Sequence, residues 1–267
     1  MDAILTDRAL LEIRGDEARN FLQGLVTNDV RKLAPAAPLY AALLTPQGKI
    51  LCDFLLHARD DSILLDCPRA SAADLKTRLT RYRLRAKVEI VLREDLVVAA
   101  RWNDSNGGES ACRDPRNPAL GRRTVLSAPA MGGPSPPDTW LDHRLILGIP
   151  EGADFGSDRM FALDADLDEL HGVSFDKGCY VGQELTARMK HRGTARKRLL
   201  PVASESGLPA SGTSITAGER EIGVITSTYG ERGFAAIRLD RLAEAQDAPL
   251  HADGISVQVR KPEWLFA

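Results

Sequence analysis

The sequence predicts an α+β chain that gives way to an all-β C-terminal region, and three observations carry that prediction. Short alternating apolar segments, bounded by Gly, Pro and Asp, recur through the first hundred residues. Two stretches among them place apolar residues at helical spacing. Beyond residue 196 the recognisable segments are strand-like and separated by turn residues.

Residues 9–14 alternate weakly as a strand, and Gly15-Asp16 then opens a helix over 17–25 with Ala18, Phe21, Leu22 and Leu25 on one face. Thr27-Asn28-Asp29 ends it. Residues 38–44 and 50–57 read as strands around a Pro46-Gln47-Gly48 turn, with a third at 62–66, which predicts an antiparallel meander. A helix from about Ser71 carries Ala72, Leu75 and Leu79 between basic residues, and strands follow at 88–92 and 96–100. From Trp102 to Asp138 the composition shifts toward Gly, Pro, Ser and Asn, so the stretch reads as a surface excursion. Trp140 to Ile149 is apolar and helical. A boundary near Gly193 to Arg196 divides the chain into 1–194, an α+β region divisible into two subdomains, and 195–267. In the latter, strands at 199–203, 221–228, 234–239 and 255–259 suit a small antiparallel barrel.

A chain of 267 residues with 43% hydrophobic and 27% charged content can bury a substantial core. The N-terminus lacks a basic segment followed by an apolar run, and no stretch approaches a membrane span, so the expectation is a cytoplasmic protein without a membrane partner. A net charge of −2 argues against direct nucleic-acid binding. The charge is uneven, however. Lys76, Arg78, Arg81, Arg83, Arg85 and Lys87 form one basic run, and Lys177, Arg188, Lys190, Arg192, Arg196, Lys197 and Arg198 a second with Glu184 inside it. Such runs are solvated faces or the two walls of an anion-binding cleft. Four cysteines, at 52, 67, 112 and 179, show no C-x-x-C pair and no zinc spacing with the five histidines. One motif cysteine cannot hold an iron-sulfur cluster alone.

The chemistry concentrates in Lys177-Gly178-Cys179-Tyr180-Val181-Gly182-Gln183-Glu184, where a thiol, a cation, two glycines and a carboxylate crowd together ahead of a helix. Glycines at 178 and 182 let the backbone turn sharply or approach another group. Cys179, near a helix N-terminus and beside Lys177, is a candidate nucleophile or soft-metal ligand rather than an inert buried thiol. Tyr180 offers an aromatic face or a core plug. Gln183 has paired donor and acceptor groups for an amide edge, and Glu184 either shares that work or pairs with Arg188 at i,i+4.

Lys-Gly-Cys-Tyr-x-Gly-Gln-Glu, continuing through Leu185-Thr186-Ala187-Arg188 to Arg192-Gly193, resembles the signature of the YgfZ family of folate-binding proteins and their mitochondrial counterparts in iron-sulfur cluster assembly. The opening Leu11 to Asp16 and Phe21 to Val30 resemble the start shared with the aminomethyltransferase, or T-protein, of glycine cleavage. Gln47-Gly48-Lys49, Asp114-Pro115-Arg116, Arg144 to Gly152 and Pro262-Glu263-Trp264-Leu265 extend the likeness over nearly the whole chain.

The resemblance implies T-protein-like α+β units with antiparallel sheets around a central opening, closed off by a C-terminal β-barrel. It implies tetrahydrofolate or a derivative as cofactor, held by Tyr180, Gln183, Glu184, Arg188, Arg192, Asn28 and Asp29. Cys179, with Lys177 as its cation, would be the functional thiol and a ligand to a transient iron-sulfur cluster shared with a partner. The partners implied are iron-sulfur assembly proteins and client iron-sulfur enzymes, radical-type tRNA-modifying enzymes among them. The implied role is assembly or repair by a non-enzymatic or weakly catalytic factor. The alternative is a tetrahydrofolate-dependent aminomethyltransferase relying on Asp53, against which stands Cys52, which replaces one member of the acidic pair found on the matching aminomethyltransferase strand.

Overall fold

The computed structural model describes residues 2–103, 112–128, 137–193, 196–246 and 248–266. Strands β1 (Asp2–Ile4) and β2 (Arg8–Arg14), helix α1 (Ala18–Gln23), strands β3 (Leu39–Leu44), β4 (Ile50–Ala58) and β5 (Ser62–Pro68), and helix α2 (Ala72–Arg83) open the chain. Strands β6 (Glu89–Arg93), β7 (Leu96–Arg101), β8 (Cys112–Arg113) and β9 (Arg122–Ser127) follow, then helices α3 (Pro137–Leu147) and α4 (Gln183–Arg192). The last region holds β10 (Lys197–Ala203), β11 (Ser214–Ala217), β12 (Arg220–Tyr229), β13 (Arg232–Arg238), α5 (Leu239–Ala245), β14 (Leu250–Ala252), β15 (Ile255–Ser256) and β16 (Gln258–Val259).

Alternation builds the first sheet, an antiparallel array in the order β3-β4-β5-β2-β6. On β2, Ala9, Leu11 and Ile13 face one core with Cys52, Phe54, Leu65 and Cys67, and α1 and α2 cover it with Leu22, Leu75 and Leu79. The opposite face carries Leu10, Tyr40, Leu55 and Leu64 into a second core shared with Val98, Trp140, Leu145 and the 160–170 segment. Strands β1, β7, β9 and β8 form a four-stranded sheet in that order.

The remaining strands make a seven-stranded sheet, β15-β14-β11-β12-β13-β10-β16, around a third core of Leu200, Ile215, Ile222, Ile225 and Ile237. Its two end strands are separated in sequence only by Val257, so the sheet curls into a nearly closed barrel. Helix α5 and strand β11 lie where the sequence predicts neither.

The surface excursion expected over Trp102 to Asp138 is corrected between residues 112 and 128. There β8 and β9 pair with each other and β9 pairs with β7, while Leu120, Arg116 and Arg123 are buried. Arg122-Arg123 hides the strand from alternation because Arg123 points inward onto carboxylates rather than outward to water. The parts of the excursion at 104–111 and 129–136, and residues 194–195 of the expected boundary, lie outside the described residues.

Candidate functional site: a clamped thiol loop

The segment after residue 170 zips along the turn that ends α1. The Ser174 N–H donates to the Thr27 carbonyl, the Thr27 hydroxyl to the Gly172 carbonyl at 2.6 Å, and the Asn28 amide to the carbonyls of Tyr40 and His171 at 2.7 Å each. Lys177 follows and turns inward. Its ammonium donates to the Val26 carbonyl and sits 5.0 Å from the centre of the Tyr180 ring. Burial pulls its pKa down to about 8, against the pull of Asp29. Gln23 at 3.2 Å and Arg31 at 3.4 Å donate to the Lys177 carbonyl.

From this anchor the loop folds over β3, the edge strand of the first sheet. Tyr180 enters the core on one face of that sheet, while Val181 packs against the core on the other. Gly182, at φ +81°, lies where a Cβ would meet the Thr45 carbonyl oxygen at 2.4 Å, so a glycine is required for the closure. The Tyr180 N–H donates to Gln183 Oε1 at 3.3 Å and the Gln183 N–H to the Tyr180 carbonyl at 3.2 Å, fixing the entry to α4. Gly178, at φ +92° with nothing within 4 Å of a built Cβ, and Cys179 remain outside. The thiol is exposed.

The structure brings Lys177, Cys179, Tyr180, Gln183, Asn28 and Asp29 to one loop assembly and assigns several of them local work. The Tyr180 ring is buried beneath Lys177, and burial pushes its hydroxyl up to about 12. Asp29 accepts from Arg31 at 2.8 Å and from Gln23 at 3.0 Å, and the Arg31 bonds hold its carboxyl down to about 2. Glu184 and Arg188 pair at 2.6 Å on the outer face of α4, and Arg192 is exposed in its last turn. Asp53 is elsewhere, 1% exposed, accepting from the Tyr40 hydroxyl and the Gly152 N–H at 3.1 Å each, with its carboxyl pushed up by burial. A one-carbon transferase would need that carboxylate within reach of its substrate.

The two basic runs lie toward opposite ends of the first sheet: helix α2 packs on β2 and β6, whereas the motif crosses the β3 edge.

A second assembly escaped sequence reasoning. Asp66 receives Arg8 at 2.6 Å and Arg123 at 2.7 Å, while Asp114 receives Arg116 at 2.7 Å and Arg123 at 3.2 Å. Glu151 receives Arg116 at 2.6 Å, and Arg144 bonds Asp154 at 2.5 Å. Asp154 then accepts from the hydroxyls of Ser227 and Tyr229 on β12. Burial opposes the charge on Asp66, Asp114 and Glu151, but the arginines hold all three carboxyls below their ordinary range. This buried lattice joins both α+β sheets to the barrel. The stretches Asp114-Pro115-Arg116 and Arg144 to Gly152, noted only as likenesses, are its signal in the sequence.

The exposed groups fit part of a folate. Arg192 suits its glutamate carboxylates and Arg188 does so on leaving Glu184, whereas the amide of Gln183 and the ring of Tyr180, which would read a pterin, and the amide of Asn28, which would line the cleft, are bonded or covered within the loop assembly. For a cluster, Cys179 offers one sulfur, and among the described residues no group of three or more His, Cys, Asp or Glu is placed to hold a metal.

Comparison with known proteins follows the same division. The family described as "CAF17, C-terminal beta-barrel domain" matches residues 196–267. The human protein "Iron-sulfur cluster assembly factor IBA57, mitochondrial" is 34% identical over 97% of this chain and 84% of its own. Homologues of it from Neurospora crassa (35% identical over 74% of this chain) and Mycosarcoma maydis (37% over 73%) are matched over only 52% and 55% of their own lengths. This chain thus spans about half of those two fungal relatives. The crystal structure of the glycine cleavage system aminomethyltransferase T from Bartonella henselae superposes with a TM-score of 0.75 over 98% of this chain and 85% of that one, at 14% identity, and so shares the fold. The expected cytoplasmic location is corrected by the relatives' names, all of which carry the word mitochondrial and point to mitochondria. No helix among the described residues is long and apolar enough to cross a membrane.

Proposed function

The chain belongs to the family of the iron-sulfur cluster assembly factor IBA57, and from that membership we propose that it supports assembly or repair of iron-sulfur clusters in other proteins, with Cys179 as the sulfur that meets the cluster. The observation that carries the proposal is the exposure of Gly178 and Cys179 between two buried residues: Lys177 and Tyr180 tie the loop down on either side, so the thiol is presented on a fixed base. The cluster is cargo. Cys179 supplies one ligand, and the remaining thiolates come from the assembly protein that delivers it or the client enzyme that receives it. Radical-type tRNA-modifying enzymes are clients of the right kind, because their chemistry depends on such clusters.

Tetrahydrofolate belongs to the same proposal. Its carboxylates would be held by Arg188 and Arg192, and when bound it would supply a reduced pteridine. This chain's residues position the thiol and pair the anionic tail.

Complementation of a strain lacking the protein tests the reading. Cys179→Ser should leave client iron-sulfur enzymes inactive while the purified variant keeps its fold and its tetrahydrofolate affinity. R188A/R192A should weaken tetrahydrofolate binding in a fluorescence titration by about tenfold or more. Full client activity with Cys179→Ser would remove the thiol from the proposal, and unchanged binding by R188A/R192A would remove the folate site.

A further inference from the structure

Leu84 closes α2 in a conformation and an exposure that both cost the fold. Its φ of +44° falls where glycine is the usual residue, and its side chain is 86% exposed. The turn is fixed at both ends. The Ala86 N–H donates to the Arg83 carbonyl at 2.7 Å, and the Lys87 N–H donates to Glu17 at 2.6 Å. Gly15 packs so closely on the Lys87 carbonyl that a Cβ there would lie 2.3 Å from it. A leucine is therefore held rigidly out into water. Around it, Arg81, Arg83, Arg85 and Lys87 are all exposed, Tyr82 is 37% exposed, and no acid lies between Asp74 and Glu89.

We propose that the Leu84 turn is a docking point for an acidic protein partner, which receives the leucine in an apolar socket and pairs its carboxylates with the surrounding arginines. Charge complementarity sets the sign of the partner, since Arg81, Arg83, Arg85 and Lys87 outnumber the one carboxylate bonded into the turn, Glu17, on a chain whose net charge is −2. The arginines and tyrosine around the leucine are residue types enriched at interface centres. The strand that follows, β6, ends the first sheet and carries Leu92, 36% exposed, on the face that α2 covers. A protein can pair with such a sheet edge, whereas a bilayer cannot satisfy its backbone groups. Nucleic acid is disfavoured because Tyr82 is the single aromatic of the run and a leucine gives bases nothing to stack on.

The test puts p-benzoylphenylalanine at Tyr82 in the full chain, irradiates cells, identifies the adduct, and titrates the purified partner against the unmodified protein and its variants. The expected adduct is a protein of net negative charge. Its affinity should fall about tenfold or more in Leu84→Gly, which suits the backbone and so keeps the fold, and by as much in R81E/R83E. It should fall likewise as salt rises from about 50 to about 200 mM. Cys179→Ala should not change it, so loss of client activity in that variant reports on the thiol and not on this surface. A lipid or RNA adduct, no adduct, or a loss below tenfold in either patch variant overturns the proposal.

Discussion

Gly182 and Thr45 are in backbone contact: a Cβ on Gly182 would stand 2.4 Å from the Thr45 carbonyl oxygen and 2.9 Å from Leu44 Cβ. Gly178, four residues earlier in the same loop, has no atom within 4 Å of the same position. The two glycines share a positive φ and differ in what surrounds them. Gly182→Ala is therefore expected to cost about 3 kcal/mol, from strain plus overpacking, and Gly178→Ala about 1 kcal/mol from backbone strain alone. Urea unfolding of the two variants checks this, and equal midpoints would mean that the clamp over β3 does not hold the loop.

Lys177 makes stability depend on pH in an unusual direction. Burial lowers its pKa in the folded chain to about 8 from 10.5. Between those values the unfolded chain carries the extra proton, so stability rises with pH through the window and the burden of the buried charge is fully present below about pH 8. In Lys177→Met that rise should vanish. Urea midpoints measured at intervals from about pH 7 to about pH 10 for both proteins test it, and parallel curves would contradict the assignment.

What the sequence discloses of this fold depends on which side chains obey the ordinary direction of burial. Residues 9–14 alternate weakly, and β4 and β5 are apolar runs set between turn residues, so all three strands are legible even though Glu12, Asp53, His57 and Asp66 are buried within them. Strand β9 is not legible, because Arg123 is 1% exposed and bonds Asp114 across the β8–β9 connection and Asp66 from 57 residues away. Pattern reasoning sends arginine outward, and only the folded chain supplies the carboxylates that reverse it. The thiol loop shows the same limit at finer scale. Lys177, Cys179 and Tyr180 are close in sequence, yet the turn at Gly178 sends the lysine and tyrosine into the core and leaves the cysteine in solvent. Adjacency revealed which residues assemble there. It could not reveal that Lys177 serves the Val26 carbonyl.

Arg123 is the residue whose removal should be felt most widely. It bonds Asp66 and Asp114 and reaches Glu151 at 3.4 Å, all out of water, so Arg123→Met leaves buried carboxylates short of a cation. A loss of about 3–5 kcal/mol is expected, enough to bring a domain of ordinary stability close to unfolding. Thermal denaturation measures it. Partial recovery is expected in R123M/D66N, where one stranded charge is also removed, and the absence of recovery would mean that packing rather than charge governs the site.

The cysteines should separate by reactivity in an order set by burial. Cys179 is exposed, Cys112 is half-buried and donates to the Pro35 carbonyl, and Cys52 and Cys67 are buried with thiols pushed up by that burial, Cys67 to about 12. Only a thiolate attacks an alkylating agent, so burial and a raised pKa act in the same direction. In native protein, iodoacetamide should modify Cys179 first, Cys112 more slowly, and Cys52 and Cys67 only once denaturant is added. Peptide mass spectrometry over a time course reads the order directly. Early modification of Cys52 or Cys67 would show that the helix-covered face of the first sheet opens in the native state, and with it the base on which the thiol loop is clamped.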